Sequence, residues 1–328
     1  MRLRLTCLAL CLATPAHADL VSAIDAHVLP GYARFAETAV ALDEAAEADC
    51  TAPALRPAYH LAFDAWLGVA HLRFGPVETD GRALAIEFWP DPRGIAARSL
   101  DSLIAAQDPV VRNAEDFATV SVAARGLMAL DRLLFDGDRS EYSTDSYVCH
   151  LTRAIAHDLA DMAVAIRDDW DTSHARLLKT AGDSGNAIYL SPQEAKRALL
   201  TALLSGLEFN ADQRLGRPLG SFERPQPRQA EAYRSDRPLR NVILSLEALR
   251  DLANELTDGP TRSLNAIDGA LTEARRLEDP RLAGVSEPQS RIRIESLQSR
   301  IREARAAAAQ EIGAALGVAA GFNAADGD

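Results

Sequence analysis

The feature that most constrains this chain is an unbroken apolar stripe in its first half, in which every step is three or four residues. Its members are Val148, Leu151, Ile155, Leu159, Met162, Ile166 and Trp170. Such a stripe is typical of an α-helix that buries one face. No stretch shows the period-two alternation of a half-buried β-strand. The chain is 48% apolar but only 5% aromatic, which suits helices packed on helices. The sequence therefore predicts an all-α protein.

The helical pattern divides into two halves at a polar stretch, 171–186, that contains Gly182 and Gly185. Each half has about four amphipathic helices, enough for one bundle. Ser191 and Glu194 form a capping box that predicts the first helix of the second half. We therefore predict two helical-bundle domains, an N-terminal one over 19–175 and a C-terminal one over 176–328.

Three local expectations follow from particular residues. Pro30 and Gly31 should kink or break a first helix over about 20–48, because proline lacks a backbone N–H. The stretch 77–94 has no helical stripe and should be irregular. One helix of the second half should begin near Ser235.

The N-terminus has the parts of a secretory signal peptide. Arg2 and Arg4 precede an apolar run, and Ala16-His17-Ala18 matches an A-x-A cleavage site. We therefore expect 1–18 to be removed just before Asp19 and the protein to be exported to the periplasm or cell envelope. No later apolar run reaches the length that spans a bilayer, so no membrane span is expected.

Charge and cysteine content narrow the possible partners. The formal net charge is −12, so the protein repels phosphate backbones and nucleic acid is not an expected partner. Once 1–18 is removed, Cys50 and Cys149 remain, and in an oxidising compartment a disulfide between them is expected. The alternative is a two-thiolate metal site, although neither cysteine has another near it.

The segment 124–138, ARGLMALDRLLFDGD, ends an apolar helix and contains two residues at metal-ligand spacing. Met128 and Asp131 are three apart and project from one helix face, with Gly126 leaving space before them. A thioether is a soft, uncharged ligand, and one carboxylate anchors a metal weakly. The spacing suggests a site for iron or another divalent metal with Asp131 as its ligand, whereas the residue types argue against it.

Four segments resemble, in order, the motifs of the imelysin-like family. The segment around Gly126 resembles the family's Gly-x-His-x-x-Glu motif, with Met128 in place of the His and Asp131 in place of the Glu. HLRFGP follows Trp66 as the family's Arg-Phe-Gly-Pro follows its Trp, and FWPD is similar to its Trp-Pro signature. The final GFNAADGD is similar to the family's C-terminal ending. The resemblance implies two helical bundles side by side, with the site in the cleft between them.

The resemblance also implies a role in iron or metal acquisition. A non-enzymatic periplasmic protein would bind a small ligand, a metal or an envelope protein partner in the cleft, and no catalytic residue is assigned. One alternative is a metal-dependent peptidase of the imelysin type, although zinc hydrolysis needs about three protein ligands. Another is a decayed site whose cleft binds an envelope protein. The expected motif and cleft residues are Trp66, Arg73, Gly75, Pro76, Trp89, Gly126, Met128, Asp131, Arg234, Ser235, Asn323 and Asp326.

Further polar groups have two interpretations each. His157 and Asp161, four apart on the stripe helix, form a ligand pair or a surface pair. The acids Asp168, Asp169 and Asp171 are a solvated run or a binding site. Five second-half arginines bind an anion through their guanidinium forks or pair with acids of the first half. These are Arg214, Arg217, Arg234, Arg237 and Arg240.

Overall fold

The structure is a computed structural model in which residues 19–259 and 261–319 are described. Within those residues the chain forms α-helices joined by short 3₁₀ and π-helical segments, and no strand occurs. The predicted all-α class is therefore confirmed. The predicted signal peptide, 1–18, and the motif residues Asn323 and Asp326 lie outside the described residues.

The helices are numbered in chain order. Those of the first half are α1 (Leu20–Ala23), α2 (Leu29–Ala48), α3 (Ala52–Leu67), α4 (Arg82–Ile86), α5 (Ile95–Ala106), α6 (Ala114–Phe117), α7 (Gly126–Phe135), α8 (Tyr147–Asp169) and α9 (Ala175–Lys179). Those of the second half are α10 (Pro192–Glu208), α11 (Gly216–Leu219), α12 (Pro238–Glu255), α13 (Arg262–Arg275) and α14 (Pro288–Leu316). The π-helical segments Ile24–Val28, Trp170–His174 and Phe209–Leu215 each connect two of these helices directly.

The first half is built around the predicted stripe. Helix α8 packs along α2, and α3 and α7 complete the contact. The stripe faces this core: Leu151 and Ile155 are fully buried, and the Trp170 ring stacks on Tyr32 with centroids 5.6 Å apart. His157 and Asp161 lie on the exposed face of α8 with Nε2 and Oδ2 3.6 Å apart. They are therefore the surface pair of the two predicted alternatives.

The second half is organised around α14, which packs on α13 and α10, while α12 packs on α13 and α10 from its own side. The predicted cap is present at the start of α10. The Ser191 hydroxyl accepts the N–H of Glu194, and the Glu194 carboxylate accepts the N–H of Leu190, the residue before the cap, at 2.7 Å. The first bond satisfies an amide that a helix start leaves without an intrahelical partner, and the second ties the preceding chain to the helix.

Buried apolar side chains of both halves form a continuous cluster, and α12 packs against α3 across the boundary. The polar stretch 171–186 begins as helix. Helix α8 continues through Trp170–His174 into α9 and ends at Lys179, because Trp170 and Leu178 are fully buried and hold this segment against the core. The division into domains over 19–175 and 176–328 stays a prediction.

The acidic run at the end of α8 lies at the surface. Asp168 pairs with Arg167 and Asp169 with Arg82, each at 2.7 Å, and Asp171 is exposed. Of the two interpretations, the structure therefore agrees with a solvated run supported by ion pairs.

The local expectations had mixed outcomes. Pro30 and Gly31 do not break the first helix, because Pro30 follows the wider π-helical turn and lies in the first turn of α2, where proline is tolerated. The stretch 77–94 was expected to be irregular but contains α4. The helix expected near Ser235 begins at Pro238 instead, because Tyr233–Ser235 forms a separate 3₁₀ turn.

The predicted disulfide is confirmed. Cys50 and Cys149 are bonded, with their Cα atoms 5.3 Å apart, and the bond joins the connection between α2 and α3 to the first turn of α8. These two cysteines therefore do not form the alternative thiolate metal site. Among the described residues, no helix combines the length and apolarity needed to cross a membrane.

Candidate functional site

The motif helix α7 begins in close contact with α4. Gly126 has φ +65°, and a Cβ atom there would lie 2.1 Å from the carbonyl oxygen of Ala85 and 2.4 Å from that of Ile86. Only glycine accepts both the left-handed backbone and this approach. The space that the sequence assigned to Gly126 is thus filled by backbone, and the contact fixes where Met128 and Asp131 point.

Asp131 is fully buried at the junction of the two halves. Its Oδ1 accepts hydrogen bonds from the Ser235 hydroxyl at 2.6 Å and the Tyr59 hydroxyl at 3.4 Å. Its Oδ2 lies 3.7 Å from an Arg234 guanidinium nitrogen. Burial raises the pKa of Asp131, and the Ser235 hydrogen bond and the charge of Arg234 oppose that shift. The structure thus brings together three predicted site residues, Asp131, Arg234 and Ser235.

The surroundings of Asp131 do not fit a resident metal ion. Its neighbours are two hydroxyls and a guanidinium, and a cation bound here would meet the positive charge of Arg234 at close range. Metal sites need several oxygen, nitrogen or thiolate ligands around one point. Within 19–259 and 261–319, no group of three or more His, Cys, Asp or Glu side chains could hold a metal ion.

A small cavity of about 120 Å³ lies between the two halves, and Arg234, the neighbour of Asp131, is one of the residues that line it. We call it the interhalf cavity. The first half contributes the FWPD segment, Met128 and Arg132, and the second half contributes Arg217 and residues 228–234 apart from Glu231. Three predicted cleft residues, Trp89, Met128 and Arg234, therefore line one cavity. The Trp89 ring also meets Phe209 of the second half edge-on, with centroids 5.8 Å apart.

Trp66 and Arg73 lie in a different place, next to the buried side chain of Glu87. The Trp66 indole donates to Glu87 Oε2 at 2.7 Å, and an Arg73 guanidinium nitrogen lies 3.5 Å from the same oxygen. The Arg73 guanidinium also sits 5.5 Å from the centre of the Trp66 ring. Arg73 lines a second cavity of about 340 Å³ between the halves, together with Phe209 and Arg214.

Glu87 belongs to a group that sequence reasoning missed, which we call the buried glutamate cluster: Glu87, Glu231, Arg214 and Asn241. Arg214 lies 2.9 Å from Glu231 and 3.9 Å from Glu87, and the Asn241 amide donates to Glu231 at 2.6 Å. Burial and the neighbouring Glu231 raise the pKa of Glu87 to about 8. Arg214 and the hydrogen bond from Glu87 outweigh burial and lower the pKa of Glu231. Of the two carboxyl groups, Glu87 therefore favours the protonated form and Glu231, beside Arg214, the ionised form.

Gly75 and Pro76 have a packing role and line neither of the two cavities. Gly75 has φ +69°, and a Cβ atom there would lie 2.4 Å from Nε2 of His174. His174 packs against Trp170 with ring centroids 4.7 Å apart and contacts the Tyr189 hydroxyl at 3.2 Å. The carbonyl oxygen of Pro76 accepts from Arg82 at 3.2 Å. The RFGP segment thus holds the aromatic junction after α8 in place.

Most of the second-half arginines pair with acids of the first half, which was one of the two predicted alternatives. Arg237 lies 2.6 Å from Asp64, and Arg240 is paired with the same carboxylate. Arg214 reaches Glu87, and Arg234 reaches Asp131 and Asp136. Arg217 instead bonds the neutral Gln213 and lines the interhalf cavity. Arg132 and Arg228 also line this cavity, although no sequence pattern singled them out.

Comparison with known proteins places the chain in a family. The family model described as imelysin (Peptidase_M75) matches residues 28–308. "Iron-regulated protein A" of Synechococcus elongatus is 25% identical over 277 residues, which are 79% of this chain and 69% of that protein.

Two crystal structures share the fold. An imelysin-like protein from Psychrobacter arcticum superposes with a TM-score of 0.69 at 20% identity, covering 92% of this chain and 96% of that one. A candidate iron-regulated protein A precursor from Parabacteroides distasonis gives 0.70 at 12% identity, covering 90% and 96%. Because the family model spans most of the sequence, the chain belongs to the imelysin family.

Proposed function

We propose that the protein is an exported, non-enzymatic component of iron acquisition that binds a small ligand in the interhalf cavity. The observation that carries this proposal is the convergence of Trp89, Met128 and Arg234 on one cavity between the halves. Ligand sites in proteins are typically concave and lie where two structural units meet. The link to iron is supported by the name of the Synechococcus relative, an iron-regulated protein.

The chemistry of the site supports binding rather than hydrolysis. A metallopeptidase needs a metal with an open position for water, whereas Asp131 is buried beneath hydroxyls and a guanidinium. The other strongly perturbed carboxyl groups, Glu87 and Glu231, are also buried, so neither is open to a peptide. At about 120 Å³, the cavity suits a small ligand better than a segment of an envelope protein.

Export is supported by two features of the chain. The segment 1–18 has the pattern of a signal peptide, and the Cys50–Cys149 disulfide is of a kind that persists in oxidising compartments such as the bacterial periplasm. The proposal therefore places the folded protein in the periplasm or cell envelope.

The test fills the cavity without touching its charges. Gln229 lines the interhalf cavity from the 3₁₀ turn Pro227–Gln229, so Gln229→Trp should block it. Gln193 is exposed in the first turn of α10, and Gln193→Trp is the matched control. Each is expressed in a strain lacking the native gene, and growth is compared under iron limitation.

We expect Gln193→Trp to restore growth like the wild type and Gln229→Trp to fail, with both proteins folded and exported in equal amounts. Equal growth of the two strains would overturn the role of the cavity. A peptidase assay on an unfolded protein substrate completes the test, because cleavage that disappears in Asp131→Asn would contradict a non-enzymatic role.

A further inference from the structure

We propose that the interhalf cavity binds a small oxyanion, a carboxylate or phosphate compound with at least two negative charges, through Arg132, Arg217, Arg228 and Arg234. This inference rests on the proposed function, since it names the ligand class of the same cavity. Guanidinium groups present paired N–H donors that match carboxylate and phosphate oxygens.

The charged side chains that line the cavity are mostly positive. Four arginines line the cavity, and Asp91 is the single acid among its lining residues. The Asp91 carboxylate is already engaged at the start of α5, where its two oxygens accept the N–H groups of Ile95 and Ala96 at 2.8 and 3.0 Å. The lining therefore has an excess of positive charge in a protein whose net charge is −12.

The carboxylates just outside the lining leave Arg132 weakly paired. Asp136 lies 3.1 Å from Arg234 and 3.8 Å from Arg132, and Arg234 has a second carboxylate, Asp131, at 3.7 Å. Within 19–259 and 261–319, the 3.8 Å contact is the only ion pair that Arg132 forms. Burial and the positive charge of Arg234 lower the pKa of Arg132, so these two cations repel each other, and a bound anion would relieve that repulsion.

Two of the four arginines have no acidic partner within the part of the chain that the structure describes. Arg217 donates to the neutral Gln213 side chain at 2.6 Å, and Arg228 is exposed. Within 19–259 and 261–319, neither forms an ion pair. Arg237 and Arg240 show the opposite case, because both are paired with Asp64. Cations that a fold uses for its own stability have partners, and these two remain available.

The size and the walls of the cavity suit a small anion. The Arg234 guanidinium lies 4.4 Å from the centre of the Tyr233 ring, which holds its donors in a fixed plane. Trp89 and Met128 form further walls. A volume of about 120 Å³ admits a phosphate or a small carboxylate, and a polymer such as nucleic acid does not fit.

The experiment is titration calorimetry of the mature, disulfide-bonded protein. The probes are citrate, inorganic phosphate and citrate loaded with ferric iron, with glycerol as the uncharged control. The variants are Arg217→Gln, Arg228→Gln and the double variant. The matched control is Arg240→Gln, which removes an exposed arginine outside the cavity. Its partner Asp64 remains paired with Arg237 in this variant. Circular dichroism confirms that each variant is folded.

We expect at least one anion to bind with one-to-one stoichiometry and to weaken as salt is raised. Arg217→Gln and Arg228→Gln should each weaken it about tenfold or more, the size of losing a charged hydrogen bond, and Arg240→Gln should stay within about twofold. Preference for the iron-loaded form would identify the ligand as a ferric chelate, and equal affinity would identify the free anion.

Absence of binding for every anion, or equal binding by the double variant, would overturn the anion site. These failures are distinguishable from failure of the proposed function. A growth defect of Gln229→Trp without anion binding keeps the cavity and rejects its ligand class. Anion binding with normal growth of Gln229→Trp keeps the site and rejects its role in iron acquisition.

Discussion

Two groups of charged side chains join the halves of this protein, and they differ in which charge is in excess. In the buried glutamate cluster, the carboxyl groups of Glu87 and Glu231 flank one buried guanidinium, that of Arg214, and the partly exposed Arg73 lies 3.5 Å from Glu87 at the edge of the cluster. In the interhalf cavity, four arginines face one acid among the lining residues. The side chains of the first group are all buried, although Arg214 also lines the 340 Å³ cavity, whereas the second group lines the interhalf cavity and includes the exposed Arg228.

The difference shows how the sign of an excess charge decides what a site can do. A carboxyl group neutralises an excess negative charge by keeping a proton, and the raised pKa of Glu87, about 8, has this cause in addition to burial. An arginine cannot lose its proton in a protein, so an excess of guanidinium groups needs an anion from outside. The first arrangement is therefore structural, whereas the second is suited to binding.

The largest expected effect comes from removing the guanidinium of Arg214 from the buried glutamate cluster. Arg214→Met leaves Glu231 buried without its ion pair, and loss of one partner from a buried pair costs about 3–5 kcal/mol. Urea denaturation followed by circular dichroism measures the free energy of unfolding. Arg302→Met is the control, because Arg302 and its partner Asp212 are exposed and such pairs contribute about 0–1 kcal/mol. Equal losses in the two variants would show that Arg214 is not a structural cation.

A smaller effect is expected from pH. Glu87 has a folded pKa of about 8 against an ordinary value of 4.5, so between these values the folded protein keeps a proton that the unfolded chain has lost. Stability should therefore fall as pH rises from 5 to 8. The fall should be about 1–3 kcal/mol, smaller than an isolated carboxyl group with this pKa would give, because Glu87 and Glu231 titrate as a pair. Glu87→Gln keeps an amide that accepts from Trp66, and it should flatten this slope in urea titrations at pH 5, 6.5 and 8. An unchanged slope in the variant would assign the dependence to another group.

Sequence reasoning located the helices well because helical periodicity is a local signal. The stripe of α8 faces the core as predicted, and the predicted disulfide joins Cys50 and Cys149. Gly126 was expected to leave space before Met128 and Asp131, and the sequence could not show that the carbonyl oxygens of Ala85 and Ile86 fill this space. Local patterns specify which face of a helix is buried, and they do not specify against what.

The composition of the cavity was beyond the sequence for the same reason. Arg132 lies on the motif helix and Arg228 in a proline-rich loop, and only the docking of the halves brings them together. The same docking removed Arg237 and Arg240 from the candidate anion site, because it places Asp64 beside both. A count of arginines along the chain could not separate paired from unpaired ones, since Asp64 is 173 and 176 positions from the two arginines that it pairs with.

The smallest expected effect concerns Asp131, a buried acid beside one arginine of the interhalf cavity. Asp131 lies 3.7 Å from Arg234 and so competes with any anion in the cavity for this guanidinium. Asp131→Asn keeps the shape and the acceptor for the Ser235 hydroxyl while removing the charge. Anion binding in titration calorimetry should tighten about twofold to fivefold, the size of a weak ion pair. Asp64→Asn is the control and should leave the affinity unchanged, because its partners Arg237 and Arg240 lie outside the cavity. Weaker binding in Asp131→Asn would contradict the charge argument, because it would mean that Asp131 organises the arginines for the ligand rather than competing with it.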